Sequence, residues 1–217
     1  MVKAADDDKA QQSPPPSSDP RDDASHPFTD PAFTPAGLVE GILKKYVTAK
    51  WYVFVVLALW VCFTHIYERF RVAPRVALIG ESGSGKTTAR KITHKLVRRP
   101  NPESSGTGAA IREFLDGGPC TIVLDEVDHL DADARRILQK IWNLGHERGE
   151  KDSLVVAGRR KLVDLHAPML AVGVGLVGTF LAPTQKNRTF VLEMEPSTEE
   201  TEPEREIDDS VEDIDAV

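Results

Sequence analysis

The sequence predicts an α/β protein whose mainly parallel sheet is flanked by helices and whose two ends are disordered. Short apolar runs alternate along the chain with stretches of helical periodicity, a pattern typical of parallel strands joined by crossover helices. A glycine-rich loop near residue 80 stands between one such run and the helical stretch that follows it. The first and last segments are polar and acidic and lack apolar periodicity, so they cannot bury enough surface to fold.

The predicted strands are short runs rich in branched apolar residues. Helical spacing predicts helices over 87–97 and 130–142, and Gly145 is placed to end the second of them. The predicted strands are Val76–Ile79, Thr121–Leu124, Leu154–Ala157, Lys161–Leu165, Leu170–Val174 and Thr189–Leu192.

An unbroken apolar run, Trp51–Phe63, precedes the first strand and has two interpretations. A membrane-spanning helix needs about 20 apolar residues, which is more than this run supplies. We therefore expect a helix buried in the core of the domain, with a membrane anchor as the alternative. The helical spacing of Leu38, Ile42 and Tyr46 adds a first helix, so that residues 36–72 are predicted to form a helical segment ahead of the sheet.

The charge distribution divides the 217-residue chain into three parts. We predict a disordered arm at 1–35, a single domain at 36–195 and a disordered acidic tail at 196–217. The net charge of the whole chain is −7, but it is +8 over 36–192 and −11 over 193–217. A basic domain is a candidate to bind a polyanion such as nucleic acid, although an ordinary solvated surface explains the same charges.

The two cysteines, Cys62 and Cys120, lie far apart within apolar runs, and neither belongs to a Cys/His metal-binding spacing. Packed thiols in a reducing compartment are the expectation for such residues. The sequence shows neither a targeting motif nor a signal-peptide pattern. We therefore expect a cytoplasmic protein.

The most specific motif is the octapeptide GESGSGKT, which matches G-x-x-x-x-G-K-[ST] at every position. Its glycines let backbone N–H groups approach phosphate oxygens, and the positive end of the next helix faces the same oxygens. Lys86 supplies a mobile charge for the β- and γ-phosphates, and the Thr87 hydroxyl can coordinate Mg²⁺. No guanine-reading motif is present, which favours ATP over GTP. The predicted nucleotide-binding residues are Gly80, Glu81, Ser82, Gly83, Ser84, Gly85, Lys86, Thr87 and Thr88, with ATP and Mg²⁺ as cofactors.

A second motif consists of an apolar strand that ends in two carboxylates, Asp125 and Glu126. It has the form of a Walker B motif. In such a site the first carboxylate holds the Mg²⁺ shell and the second activates a water molecule against the γ-phosphate. We therefore predict that Asp125 is a metal ligand with Thr87, and that Glu126 is a catalytic residue with Lys86. An acidic helix cap after a buried strand is the alternative.

Fast hydrolysis also needs a cation near the γ-phosphate, often an arginine from a neighbouring subunit. Arg188 directly precedes the last predicted strand and is the first candidate, although an ordinary surface arginine fits the sequence equally well. A second basic cluster, Arg159–Lys161, lies between two short predicted strands. We expect it at the tip of a hairpin that meets substrate or solvent.

These residues resemble the AAA+-like ATPase domain that accompanies primase- and helicase-type proteins of phages, plasmids and bacterial chromosomes. The resemblance covers about Leu57–Glu195. It implies a P-loop NTPase fold, an oligomer, and a core helix at 51–63. Two departures stand out: the strand at 170–174 carries no polar sensor residue, and we expect no C-terminal helical lid after the last predicted strand. The similar pieces are Ala58-Leu59-Trp60, Thr64-His65, Ala73-Pro74-Arg75, the P-loop, Leu124–Asp128, Ile141-x-Asn143-x-Gly145-His146 and Asn187-Arg188.

Three functional hypotheses follow from the sequence. The first is a Mg²⁺-dependent ATPase that acts on nucleic acid or on a protein–nucleic-acid complex, as a homo-oligomer or with a partner subunit. The second is an ATP-dependent regulator or scaffold with little turnover, in one version attached to a membrane through 51–63. The third is a small-molecule kinase, which the glutamate directly after Asp125 disfavours because it suits water as the acceptor.

Overall fold

The computed structural model describes residues 34–103, 107–127, 129–156, 159–176 and 180–196. Within them the chain forms an α/β domain with six strands, six α-helices and a short 3-10 helix at Tyr67–Arg69. Residues 1–33 of the predicted disordered arm lie outside these residues, as does the acidic tail beyond Pro196, and their disorder stays a prediction. The predicted arm extends two residues too far, because Thr34 caps the first helix and Pro35 begins it. The strands are β1 (Arg75–Ile79), β2 (Ile122–Leu124), β3 (Lys151–Val156), β4 (Arg159–Asp164), β5 (Met169–Gly173) and β6 (Thr189–Glu193).

Four strands form one sheet in the order β2-β5-β1-β6, and every pair in it is parallel. This confirms the prediction of an α/β fold with a mainly parallel sheet. The chain leaves β1, passes to β2 two places away, returns to β5 between them, and then crosses to β6 on the other side of β1. In open α/β sheets such a reversal opens a crevice at the carboxyl ends of the strands, where ligands bind.

Helices cover both faces of this sheet. The helices are α1 (Pro35–Tyr46), α2 (Trp51–Thr64), α3 (Lys86–Leu96), α4 (Gly108–Asp116), α5 (Ala132–Leu144) and the single turn α6 (Pro183–Lys186). The structure confirms helices at 36–46, 51–64, 87–96 and 132–142, and α5 ends at Gly145 as the sequence predicts. Helices α4 and α6 are additions that the sequence analysis did not predict.

Each buried strand presents alternate residues to two separate apolar cores. Val76 and Leu78 of β1 pack with α1, α2 and α3 on one face of the sheet. Ala77, between them, faces the second core, which α4 and α5 share with the hairpin. Because β5 and β1 are buried on both faces, their sequences are continuous apolar runs rather than alternating ones, apart from Arg75 at the start of β1.

The apolar run at 51–63 forms a core helix. Within α2 the side chains of Val53, Leu57 and Val61 are almost fully buried against α1, α3 and the sheet. Trp51 and Leu59 remain exposed. Among the described residues, no helix has the length and apolar character needed to cross a membrane.

The hairpin of β3 and β4 is antiparallel and separate from the main sheet. The hairpin that the sequence predicts around the basic cluster Arg159–Lys161 is present, but the placement of the cluster at its tip is wrong, because these residues belong to β4. Lys161 donates to Asp116 at the end of α4, at 2.7 Å. The hairpin also starts earlier than predicted, at Lys151. The prediction began the strand at its first apolar residue, whereas β3 opens with polar residues that include the buried Asp152.

Candidate functional site

A strand, a glycine-rich loop and a helix follow one another from β1 to α3. Gly80, Gly83 and Gly85 all have positive φ angles, of 152°, 78° and 76°. L-residues rarely adopt these conformations, so glycine is required for the loop to wrap around the start of α3. The first helical residue is Lys86, and Gly85 occupies the N-cap position without any side-chain cap. The amide groups at this helix start therefore remain available for an anion.

The beginning of the loop is pressed against the chain that follows β6. A Cβ atom on Gly80 would lie 2.2 Å from the carbonyl oxygen of Met194 and 2.8 Å from Ser84 Oγ. Met194 also donates its N–H to the Ile79 carbonyl at 2.8 Å, continuing the β1–β6 ladder. The path of the loop thus depends on a segment more than a hundred residues away in the sequence.

Lys86 folds back over the loop. Its side chain is largely buried, and the ammonium donates to the Gly80 carbonyl at 2.7 Å, to the Glu81 carbonyl and to Ser84 Oγ at 3.1 Å. These acceptors hold the positive charge at the mouth of the loop. A phosphate group entering the loop would meet the lysine already in position. The three acceptors named above are uncharged, and an ammonium group bonds more strongly to a charged phosphate oxygen than to an uncharged one.

The two predicted carboxylates face the loop across one cleft. Asp125 and Glu126 directly follow β2, whose carboxyl end lies at the same edge of the sheet as the carboxyl end of β1, with β5 between them. The cleft has a volume of about 530 Å³ and an open mouth. Its lining residues are Ser82, Gly83, Ser84, Gly85, Lys86, Thr87, Thr88, Asp125, Glu126, His129, Val172, Gly173 and Val174.

Glu126 has a strained backbone, with a φ angle of 45°. Its N–H donates to Asp125 Oδ1 at 3.1 Å, and its carbonyl accepts from the His129 N–H at 2.9 Å. A non-glycine residue in this region is uncommon and persists where the surroundings fix it, often at functional sites. The turn leaves the Glu126 side chain exposed in the cleft.

Most of the predicted nucleotide-binding residues line the cleft, from Ser82 to Thr88. Gly80 and Glu81 do not, and they act instead through their carbonyl groups as acceptors for Lys86. His129 was missed by the sequence analysis, because a single histidine four residues after Asp125 belongs to no recognisable spacing. The end of β5 contributes only apolar side chains to the cleft, Val172 and Val174, as the sequence indicated.

Arg188 lies away from this cleft. It is exposed in the turn between α6 and β6, and β6 runs parallel to β1 with Thr189 opposite Arg75. Arg188 is therefore at the amino end of the sheet, roughly 15 Å of strand from the carboxyl end where the loop lies. Its charge acts there, together with burial and Arg75, to lower the pKa of His146. A role for Arg188 in the site of another subunit stays a prediction.

The oxygen ligands of the cleft suit Mg²⁺ bound together with a phosphate. Thr87 and Asp125 offer a hydroxyl and a carboxylate in one cleft, and Mg²⁺ prefers few protein oxygens completed by water and phosphate. Among the described residues, no group of three or more His, Cys, Asp or Glu side chains is placed to hold a metal ion by itself. The residues of the cleft are therefore suited to Mg²⁺ that is bound jointly by the protein and a nucleotide.

No protein-family model matches the chain, and none of the curated proteins matches it at a significant level.

Proposed function

We propose that this chain is a Mg²⁺-dependent ATPase of the AAA+-like P-loop type. The observation that carries the proposal is the meeting of the glycine-rich loop, Lys86, Asp125 and Glu126 in one cleft at the carboxyl edge of a parallel sheet. Residues 40 positions apart in sequence converge there, as the two motifs require if they serve one nucleotide.

Each residue has a chemical role in this proposal. The loop amides and the start of α3 hold the phosphates, and Lys86 transfers its hydrogen bonds from loop oxygens to phosphate oxygens. Thr87 and Asp125 would hold Mg²⁺, which when bound neutralises phosphate charge. Glu126, exposed in the cleft, would accept a proton from the attacking water.

The partner in this proposal is nucleic acid or a protein–nucleic-acid complex. The net charge of +8 over residues 36–192 supports a polyanionic partner. The position of Arg188, exposed and remote from its own cleft, is compatible with an oligomer in which it reaches a neighbour's nucleotide.

The test is turnover of Mg·ATP by the wild-type chain and two variants, with and without single- and double-stranded DNA. We expect Lys86→Ala to lose nucleotide binding and Glu126→Gln to bind ATP without hydrolysing it. Matched controls are Lys91→Ala, an exposed lysine of the same helix, and Glu113→Gln, an exposed glutamate of α4. Both controls should retain wild-type turnover. Stimulation by DNA would support the proposed partner.

A second candidate function is an ATP-dependent regulator or scaffold with little turnover. The apolar end of β5 favours it, because Val172 and Val174 line the cleft with apolar side chains where an active ATPase of this type would carry a polar sensor residue. This function predicts that wild type binds ATP but turns it over no faster than Glu126→Gln, even with DNA. A kinase, in contrast, predicts ATP consumption that depends on an added metabolite.

A further inference from the structure

Arg90 lies on α3, three residues after Thr87, and it is only 6 % exposed. Its guanidinium sits between two carboxylates that are far apart in sequence. The Nε atom is 2.9 Å from Asp125 Oδ2, and an Nη atom donates to Glu103 Oε1 at 3.1 Å. A buried cation needs such counter-charges, because burial of an unpaired charge is strongly unfavourable.

The contact with Asp125 is an ion pair without a well-aligned hydrogen bond. Although Oδ2 is at ion-pair distance, the Nε–H of Arg90 makes no hydrogen bond. The other oxygen, Oδ1, accepts the N–H of Glu126. The Asp125 side chain remains 36 % exposed at the wall of the cleft. A second cation can therefore reach this carboxylate, but it must share it with Arg90.

Glu103 provides Arg90 with a second counter-charge outside the cleft. Its side chain is 60 % exposed, and the hydrogen bond and charge of Arg90 lower its pKa, so that it is ionised at neutral pH. Arg90 consequently keeps one ion pair when Asp125 binds another cation. Asp125 and Glu103 are thus both counter-ions of the same buried arginine.

We infer that Arg90 is a positioning residue that limits how strongly a divalent cation promotes nucleotide binding, by competing with that cation for Asp125. This inference rests on the proposed function, since it places nucleotide and Mg²⁺ in the same cleft. A divalent cation held by Asp125 would lie close to the Arg90 guanidinium, because both would contact the same carboxylate, and the repulsion between two such charges is appreciable even in water. Glu103 reduces this repulsion, because its negative charge partly offsets the positive charge of Arg90.

The experiment measures the dissociation constant of a fluorescent ATP analogue twice for each variant, once with Mg²⁺ and once with EDTA. The dissociation constant with EDTA divided by the one with Mg²⁺ gives the coupling between metal and nucleotide, so a larger ratio means that Mg²⁺ promotes binding more strongly. Each variant serves as its own reference. We expect Arg90→Met to increase this ratio about tenfold, because the competing charge is gone. Arg90→Lys, which keeps the charge, should stay close to wild type.

Glu103→Gln tests the same inference in the opposite direction, and the substitution is at an exposed side chain, so the protein should fold as wild type does. Without the Glu103 charge, Arg90 pairs with Asp125 alone, and the ratio should fall several-fold. A lower ratio in Arg90→Met would show that Arg90 holds Asp125 in place for the metal instead of competing with it, and would overturn the inference. Unchanged ratios in both variants would overturn it too. If wild type fails to bind the analogue under either condition, the proposed function itself is wrong.

Discussion

Arg75 donates from Nε to the carbonyl oxygen of Trp142 at 3.1 Å, and this bond joins the first residue of β1 to the last turn of α5. The arginine is fully buried and has no carboxylate partner among its described contacts. Further donors reach the carbonyls of Ala73 and Ala167, and the guanidinium lies 5.8 Å from the Trp142 ring centre. Burial lowers the pKa of Arg75 to about 9, so the side chain is charged at neutral pH.

Arg75 provides a hydrogen-bond donor for a carbonyl group in the last turn of α5. The last carbonyls of an α-helix have no partner within the helix and carry its negative dipole end, which a cation stabilises. Gly145 follows directly, and its Cα lies so close to Leu165 that there is no room for a side chain. The amino end of β1, the end of α5 and the segment before β5 are thus held together at the edge of the sheet opposite the cleft.

Gly145→Ala should destabilise the protein by about 2 kcal/mol, a typical cost of overpacking. The added Cβ would lie 2.0 Å from the Leu165 carbonyl oxygen and 3.0 Å from an Nη atom of Arg75. The φ angle of Gly145 is −71°, so backbone strain does not contribute. The free energy of unfolding, measured by urea denaturation, tests this.

Gly41→Ala is the matched control for this substitution. Gly41 lies within α1, and an added Cβ would meet nothing within 4 Å. Alanine has the higher helix propensity, so this variant should gain about 0.5–1 kcal/mol. Equal stabilities of the two variants would contradict the packing described around Arg75.

Local patterns in the sequence were sufficient to predict the strands of the sheet and the two motifs. The loop glycines, Lys86 and the carboxylates after β2 are each recognisable within a few residues, and parallel pairing then places them at one edge. Two residues of the short motifs outside the P-loop make long-range contacts in the structure. Trp60 donates from Nε1 to the Pro74 carbonyl at 3.0 Å, and His146 contacts the Ala73 carbonyl through Nδ1 at 3.2 Å.

The remaining features depend on contacts that no local pattern records. Helix α4 begins Gly-Ala-Ala and buries only two large apolar residues, Ile111 and Leu115, so its periodicity is weak. Arg90 looks like part of a solvated helix face until Asp125 and Glu103 are brought to it from distant segments. The position of Arg188 at the amino end of the sheet, in contrast, follows from the parallel direction of β6 beside β1, which a mainly parallel sheet already implies.

Gly80→Ala should abolish nucleotide binding, whereas Gly83→Ala should weaken it far less. Both positions have positive φ angles, which cost an alanine about 1–3 kcal/mol. At Gly80 the added Cβ would also collide with the Met194 carbonyl, while at Gly83 it would meet nothing within 4 Å. Calorimetric titration with Mg·ATP measures the difference. Equal losses in both variants would indicate that backbone strain alone, and not the contact with Met194, determines the effect.

Asp152→Ala should destabilise the protein by about 1–2 kcal/mol, less than for a fully buried pair because its partners are partly exposed. The carboxylate joins the hairpin to two helices, accepting from Arg112 at 3.2 Å and from Lys140 at 2.7 Å. Lys140→Ala removes only the more exposed partner, and it should cost less. Thermal unfolding at neutral pH compares the two variants. A smaller effect for Asp152→Ala than for Lys140→Ala would be inconsistent with the shared ion pair.

Two histidines should make the protein less stable as the pH falls from 7 to 5. Burial, reinforced by the charge of Arg75, lowers the pKa of His146, and burial followed by the charge of Arg148 lowers that of His166. The Nε2 atom of His166 is also buried without a hydrogen-bond partner. In the unfolded chain a histidine has a pKa of about 6.5, so the unfolded state takes up protons first.

The sign of the effect follows from this proton uptake. Stability contributed by the neutral histidines is fully present above the unfolded pKa, and it is lost as the pH falls through that value towards the lower folded pKa. The free energy of unfolding should therefore decrease between pH 7 and pH 5, and His146→Gln with His166→Gln should make that decrease smaller. Urea denaturation at pH 7, 6 and 5 measures both slopes. An equally steep decrease in the double variant would assign the acid sensitivity to other groups, because the two histidines could then no longer account for it.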